Sequence, residues 1–262
     1  MGRLEGKICV ITGASSGIGA AAAKMFAKEG AKVVMAARRK ELMDAVAGLI
    51  VKAGGEAFVV PTDITDQTQV DNLFTKTMEK YGKIDVLVNV AGAISTGLRP
   101  IDSCTDEELE RIVNTNLRGT LRVTRAATQI FNKQGEGNVV TVSSVSAVTG
   151  CGAAVYAATK GALISMTRHI ALRYATKRPM VRANAVCPGS VWTDMTRNEL
   201  AAQEAGYEPM SQEFNDAVSQ HSCAGVGISK TVDIANVLLF LASDESACVN
   251  GQILTLDYGC NL

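Results

Sequence analysis

Short, nearly unbroken apolar runs recur along the chain, at 7–12 (KICVIT), 32–37 (KVVMAA), 57–61 (AFVVP), 84–89 (IDVLVN), 138–143 (NVVTVS), 180–186 (MVRANAV) and 252–256 (QILTL). Runs of this length, apolar on both alternating faces, are expected of strands buried on both sides of a parallel sheet. Between them the spacing of apolar residues changes to a helical period, predicting helices over roughly 17–29, 39–53, 67–81, 105–132, 155–177 and 231–243. Gly30 and Gly54 stand where helix C-terminal glycines belong, and Thr231 with Asp233 reads as a helix start. Strand and helix alternate without a repeat or a linker. The pattern predicts one α/β domain over 1–262, a Rossmann-like, doubly wound parallel sheet of about seven strands with helices on both faces. One stretch, 194–230, is too long for an ordinary connection and is expected to fold over a site as a substrate lid.

The first strand runs into TGASSGIG, residues 12–19. Two chemistries compete for it. Gly13, Gly17 and Gly19 could let a backbone close on a pyrophosphate, whereas Gly13–Gly17 also fits the G-x-S-x-G turn that presents a nucleophilic serine. A hydrolase using Ser15 would need a histidine. The chain has only His169 and His221. His169 lies nine residues past Lys160, so at about 100° per residue it faces away from that lysine. The first-strand position therefore favours a nucleotide cradle that includes Ser15, Ser16 and Ile18, with the helix N-terminus behind it.

A carboxylate about 20 residues further on would select NAD by gripping the ribose 2′-hydroxyl. Here the second strand ends in AARRK, placing Arg38, Arg39 and Lys40 there. Guanidinium groups pair with a 2′-phosphate that a carboxylate would repel. The expectation is NADP(H) rather than NAD(H), with Arg38 as the main contact and Arg39 beside it.

YAATK puts Tyr156 and Lys160 four apart, on one helical face and about 6 Å apart along the axis. A phenol is a poor base at neutral pH, but a neighbouring ammonium favours the phenolate. Ligands of open α/β sheets bind beyond the strand carboxyl ends. Ser143, Ser144, Asn89, Pro188 and Gly189 occupy such ends, and Asn114 and Asn116 lie in a helical segment at mid-chain.

These motifs, in order TGASSGIG (12–19), TDI (62–64), NVAG (89–92), NTNL (114–117), SS (143–144), YAATK (156–160), CPGSVWT (187–193) and GQILTLDYG (251–259), resemble the short-chain dehydrogenase/reductase family across almost the whole chain. The resemblance implies Tyr156 as acid/base and Lys160 as the group that holds the nicotinamide ribose and lowers the tyrosine pKa. It implies that Asn116 anchors a relay water and that Ser144 or Ser143 binds the substrate oxygen. Asp63 and Ile64 would meet the adenine, Asn89, Ala91 and Gly92 the adenosine side, and Val191 and Thr193 the carboxamide. Ser144 is favoured over Ser143 because the strand fixes side-chain direction, although it stands only 12 residues before Tyr156. Val90 and Tyr258 depart from the family pattern, which has asparagine and glycine there.

The implied reaction interconverts a secondary alcohol and a ketone. Trp192, Met195, Tyr207, Met210 and Phe214 in and before the expected lid suit a bulky apolar substrate such as a hydroxysteroid or bile acid. A 3-oxoacyl group on an acyl carrier is the alternative, with Arg118, Arg122 and Arg125 as a cationic docking stripe. A Ser15 hydrolase and a non-catalytic NADP sensor are the rivals from other classes. Composition narrows the field further. Lys plus Arg and Asp plus Glu are both 26, so no bulk field draws nucleic acid or an anionic membrane. The seven cysteines show no paired spacing, which implies neither a disulfide framework nor a zinc site. With no apolar leader or spanning run, a cytoplasmic protein is expected, and the family resemblance implies a homotetramer.

Overall fold

A computed structural model describes residues 2–94, 100–176, 180–197 and 228–260. Its strands are β1 (Ile8–Thr12), β2 (Lys32–Ala37), β3 (Glu56–Pro61), β4 (Val86–Asn89), β5 (Gly137–Val142), β6 (Val181–Pro188) and β7 (Ile253–Leu256). They form one sheet in the order β3-β2-β1-β4-β5-β6-β7, every pairing parallel. The helices are α1 (Gly17–Lys28), α2 (Lys40–Lys52), α3 (Gln67–Tyr81), α4 (Asp106–Ile112), α5 (Thr120–Gln134), α6 (Ala154–Tyr174) and α7 (Thr231–Ala242).

Alternation along each strand sends its residues to two separate apolar layers. Cys9 and Ile11 of β1 and Val33 and Met35 of β2 face the layer that holds Phe26 of α1, Met43 and Ile50 of α2, and Leu238 of α7. Ile8 and Val10, with Val34 and Ala36, face the opposite layer, with Leu73 of α3, Phe131 of α5 and Tyr174 of α6. The chain moves outward from β1 through β2 to β3, then returns to place β4 on the other flank of β1. The strand order thus reverses between β1 and β4, and the crevice beyond their carboxyl ends is where such sheets take ligands.

The predicted helix over 105–132 is divided. Between α4 and α5, Val113–Gly119 winds as a π-helix, whose wider turn carries Asn116. The 155–177 prediction corresponds to α6, and a single helical turn at Ser146–Thr149 was not expected. Gly30 and Gly54 adopt the positive φ inferred for helix ends. Tyr258 also has a positive φ, +58°, the one non-glycine residue to do so among the described residues. It stands where the family pattern has glycine, which adopts that conformation without steric cost. Most of the stretch expected to form a lid, including Tyr207, Met210, Phe214 and His221, lies outside the described residues.

The C-terminal end of α7 is buried, so its carbonyls need donors from elsewhere. Asn138 on β5 donates to Leu241 O at 2.7 Å, and Arg182 on β6 donates to Ser243 O at 3.1 Å, Ser246 O at 2.8 Å and Val249 O at 3.2 Å. Arg182 is only 8% exposed, and its guanidinium also lies at the negative end of the helix dipole. Arg182→Met removes the charged donor from these carbonyls, while Ser243 O keeps Ser246 Oγ, Ser246 O keeps Val249 N and Val249 O keeps Asn184 Nδ2, and should cost about 2 kcal/mol. Urea unfolding at unchanged m-value measures this, and a loss below about 0.5 kcal/mol would contradict the bracing role.

Candidate active site

The turn after β1 is built by close approach. Gly13 has φ +68°, and a Cβ on it would lie 2.8 Å from Ala91 N. A Cβ on Gly19 would lie 2.3 Å from Gly13 O, so that glycine lets α1 pack under the turn rather than opening space for a ligand. Thr12 braces the other side: its Oγ1 accepts from Val90 N at 3.1 Å and from Ala91 N at 3.2 Å. Two backbones are thereby held side by side at the switch point.

From this turn opens a cleft of about 830 Å³. Gly13, Ser15, Ser16, Gly17, Ile18, Arg38, Arg39, Asp63, Ile64 and Ala91 line it near the turn, and Ser143, Ser144, Tyr156, Lys160, Pro188, Gly189 and Val191 line it further along. Gly92, beside Lys160, and Thr193, beside Gly17, join the two regions. Two of the predicted binding residues do not reach it. Gly19 serves packing, as described, and Asn89 turns into the interior, donating to Thr124 Oγ1 at 2.9 Å and Thr141 Oγ1 at 3.5 Å. Asn89 continues the strand alternation in which Val86 and Val88 face the α1 side, so its amide faces α5.

At the basic end, Arg39 and not Arg38 reaches the glycine turn. Its Nη2 donates to Ser15 Oγ at 3.1 Å and Ser16 Oγ at 2.7 Å, while Arg38 is exposed on the cleft rim. Asp63 is drawn back by its own turn, Oδ1 accepting from Thr65 N at 2.9 Å and Thr65 Oγ1 at 2.8 Å. The proposed docking stripe is committed within the chain: Arg118 pairs with Glu110, Arg122 donates to Thr65 O, and Arg125 donates to Gln67.

At the other end, Lys160 is 4% exposed. Its ammonium donates to Val142 O at 3.0 Å and lies 5.6 Å from the centroid of the Tyr156 ring. Burial pushes its pKa down to about 8. Ser143 completes a reciprocal pair, its Oγ donating to Lys160 O at 2.8 Å, while Ser144 Oγ bonds to Ser146 Oγ within its own turn; both serines line the cleft. Asn116 is fully buried just behind the cleft; Ala93 N donates to its Oδ1 at 2.7 Å, and its Nδ2 donates to Ala93 O at 2.9 Å and Thr159 Oγ1 at 3.3 Å. Thr12, Ser146 and Thr159 are structural participants that the motif reading did not single out. A hydroxyl beside a motif residue was their only sequence signal. No helix among the described residues is long and apolar enough to cross a membrane.

The glycine turn rejects side chains at the point where it meets the next strand, and a cleft of this volume fits an extended cofactor. A phenol and a buried ammonium stand at its far end. This combination defines a dinucleotide-binding oxidoreductase. The model of a family described as enoyl-(acyl carrier protein) reductase matches residues 13–261. Among curated relatives, a 3-oxoacyl-[acyl-carrier-protein] reductase FabG of Thermotoga maritima is 36% identical, covering 98% of each chain. A 7alpha-hydroxysteroid dehydrogenase of Clostridium sardiniense is 35% identical, covering 97% of this chain and 92% of its own. Among solved structures, a 3-ketoacyl-(acyl-carrier-protein) reductase from Brucella melitensis, complexed with NADH, has TM-score 0.83 and 32% identity, covering 99% and 100% of the two chains. A short chain dehydrogenase from Burkholderia cenocepacia in complex with NADP has the same TM-score of 0.83, identity of 32% and coverage of 99% and 100%. The chain belongs to the short-chain dehydrogenase/reductase family. It is an oxidoreductase that acts on CH–OH groups.

Lys160 makes stability depend on pH. Its folded pKa lies below the unfolded value, so its burial penalty is in full force below about pH 8 and is relieved as pH rises toward 10.5. Relative to Lys160→Met, the cofactor-free wild type should therefore gain stability over that window, by up to about 3 kcal/mol. Parallel urea melts at pH 7.5 and 10 read this difference, and equal responses in the two proteins would contradict it.

Proposed function

We propose that this protein is an NADP(H)-dependent dehydrogenase/reductase that interconverts a secondary alcohol and a ketone, with Tyr156 as the acid/base. The observation that carries this reading is the convergence of Tyr156, Lys160 and Ser144 with the glycine turn on a single cleft. In reduction, Ser144 donates a hydrogen bond to the carbonyl oxygen and Tyr156 Oη gives that oxygen its proton. In oxidation, Tyr156 removes the hydroxyl proton. The nicotinamide, when bound, gives or takes the hydride at its C4. Lys160, as an ammonium, favours the tyrosinate electrostatically and binds the nicotinamide ribose. Asn116, by family resemblance, anchors the water through which Tyr156 regains its proton. Pro188, Gly189, Val191 and Thr193 hold the nicotinamide end.

Preference for NADP(H) rests on Arg39, with Arg38 beside it. Both line the cleft, and Arg39 already sits over the glycine turn where a ribose 2′-phosphate would add a charged acceptor. The two structural neighbours were solved with NADH and with NADP, so the family alone supports only NAD(P)(H). A hydroxysteroid or bile acid is the favoured substrate class, supported by the hydroxysteroid dehydrogenase relative and by Met195 on the cleft, with Trp192 half exposed before it. A 3-oxoacyl thioester is the second reading, supported by the FabG relative. A single domain with a lid over 194–230, a homotetramer and a cytoplasmic setting complete the proposal.

A panel of a 3-oxosteroid, a 7-oxo bile acid and acetoacetyl-coenzyme A, followed by NADPH absorbance, tests the activity and separates the two substrate classes. Tyr156→Phe should lower kcat by about 10²- to 10⁴-fold while NADPH affinity stays within about threefold. A variant retaining most of its turnover would remove Tyr156 from the reaction. Arg39→Ala should raise the NADPH KM by roughly 10- to 100-fold and leave that of NADH nearly unchanged. Equal losses for the two cofactors would argue against 2′-phosphate recognition.

A further inference from the structure

The hydroxyl of Ser144 has a partner within its own turn. Its Oγ donates to Ser146 Oγ at 3.2 Å and accepts from Ser146 N at 3.1 Å. One residue therefore occupies both the proton and a lone pair of Ser144, which lines the cleft. Ser146 lines the same cleft. Its own hydroxyl has room because residue 152 is glycine: a Cβ there would lie 3.1 Å from Ser146 Oγ, and Gly152 has φ +93°. The turn from Ser146 to Thr149 fixes the backbone N–H of Ser146 in place, since Ala147 N, Val148 N and Thr149 N all bond back into residues 144–145.

From this geometry we infer that Ser146 is a positioning residue for the reaction, acting through Ser144. The inference rests on the reading of Ser144 as the residue that binds the substrate oxygen. Without substrate, Ser146 Oγ accepts the Ser144 proton and holds its rotamer. When a carbonyl oxygen arrives beside Tyr156, the Ser144 O–H turns onto it. The backbone N–H of Ser146 keeps the Ser144 oxygen from following. The Ser146 hydroxyl, no longer an acceptor, rotates and donates to the lone pair that Ser144 has left. The result is a chain, Ser146 O–H to Ser144 O–H to substrate oxygen, in which each bond polarises the next. No proton changes owner along it. Its effect is greatest as negative charge builds on the substrate oxygen, so it should appear in kcat more than in KM.

A double-mutant cycle tests this, using the panel ketone that the wild type reduces fastest with NADPH. Ser146→Ala should lower kcat by about threefold to tenfold, the factor carried by one hydrogen bond of ordinary net strength, with KM changed less than about twofold. In a Ser144→Ala background the same substitution should change kcat by less than about twofold, because the group it acts through is gone. Ser146→Thr, which keeps the hydroxyl, should restore most of the rate. NADPH binding by fluorescence reports whether each variant is folded. An equal loss from Ser146→Ala in both backgrounds, or an unchanged kcat in the wild-type background, would overturn the positioning role. Ser144→Ala that turns over like wild type would instead overturn the assignment of Ser144 itself.

Discussion

The geometry of the cleft depends on how one buried amine is accommodated. An ammonium removed from water must find acceptors or surrender its proton, and Lys160 does some of each: it donates to Val142 O, and its pKa falls. Ser143, the next residue along, returns a hydrogen bond to the Lys160 carbonyl. Two consecutive residues at the end of β5 thus grip one residue of α6 from both its ends. That grip fixes the height and rotation of the helix against the sheet. Tyr156, about one turn earlier on the same face, inherits its position from it. The energetic cost of burying the charge is carried by the two apolar layers on either side of the sheet.

The switch point supplies the second half of the site. From the paired ends of β1 and β4 the chain leads to opposite faces of the sheet, to α1 from β1 and toward α5 from β4. The turns that follow must therefore be held together by something other than strand pairing. Thr12 does this with one hydroxyl that accepts from two successive backbone N–H groups. Glycine at position 13 lets the two backbones close without a side chain between them. Asn116 then fastens the far side of the second turn through Ala93, both accepting from it and donating to it. An ordinary α-turn over Val113–Gly119 would present Asn116 at a different angle, so the π-helical widening and the amide clamp belong together.

Much of this was legible in the sequence, and the exceptions have physical causes. Strand positions came through well because burial on both faces leaves a continuous apolar run that polar helices interrupt. The π-helix was not legible: Val113–Gly119 holds several weak helix formers, but one extra residue in a turn leaves no mark on composition that separates it from a strained α-helix. Asn89 shows a motif and a strand period in conflict. The motif suggests a cofactor contact, yet alternation through Val86 and Val88 sends the Asn89 side chain toward Thr124 and Thr141. The serine pair divides by its hydrogen bonds, since Ser143 Oγ is held by Lys160 O on α6 and Ser144 Oγ by Ser146, although both line the cleft. The order of Arg38 and Arg39 was beyond sequence reasoning, since both follow the strand in a segment whose direction is set by the start of α2.

The turn that admits two readings from its spacing admits only one from its contacts among the described residues. A nucleophilic serine needs an acceptor for its proton, and a base that can take it. Ser15 is buried, and its Oγ accepts from the guanidinium of Arg39, a group that stays protonated in proteins and cannot serve as a base. His169 is exposed on α6, and Lys160, the nearest amine of the cleft, is occupied with β5. What the turn does offer is donors: the N-terminus of α1, the hydroxyl protons of Ser15 and Ser16, and the cation that spans them. Such a set stabilises an anion that approaches it and gives no means of activating a nucleophile. With a guanidinium reaching over Gly-Ala-Ser-Ser-Gly from the end of the second strand, the two serines are placed to donate to an anion rather than to attack.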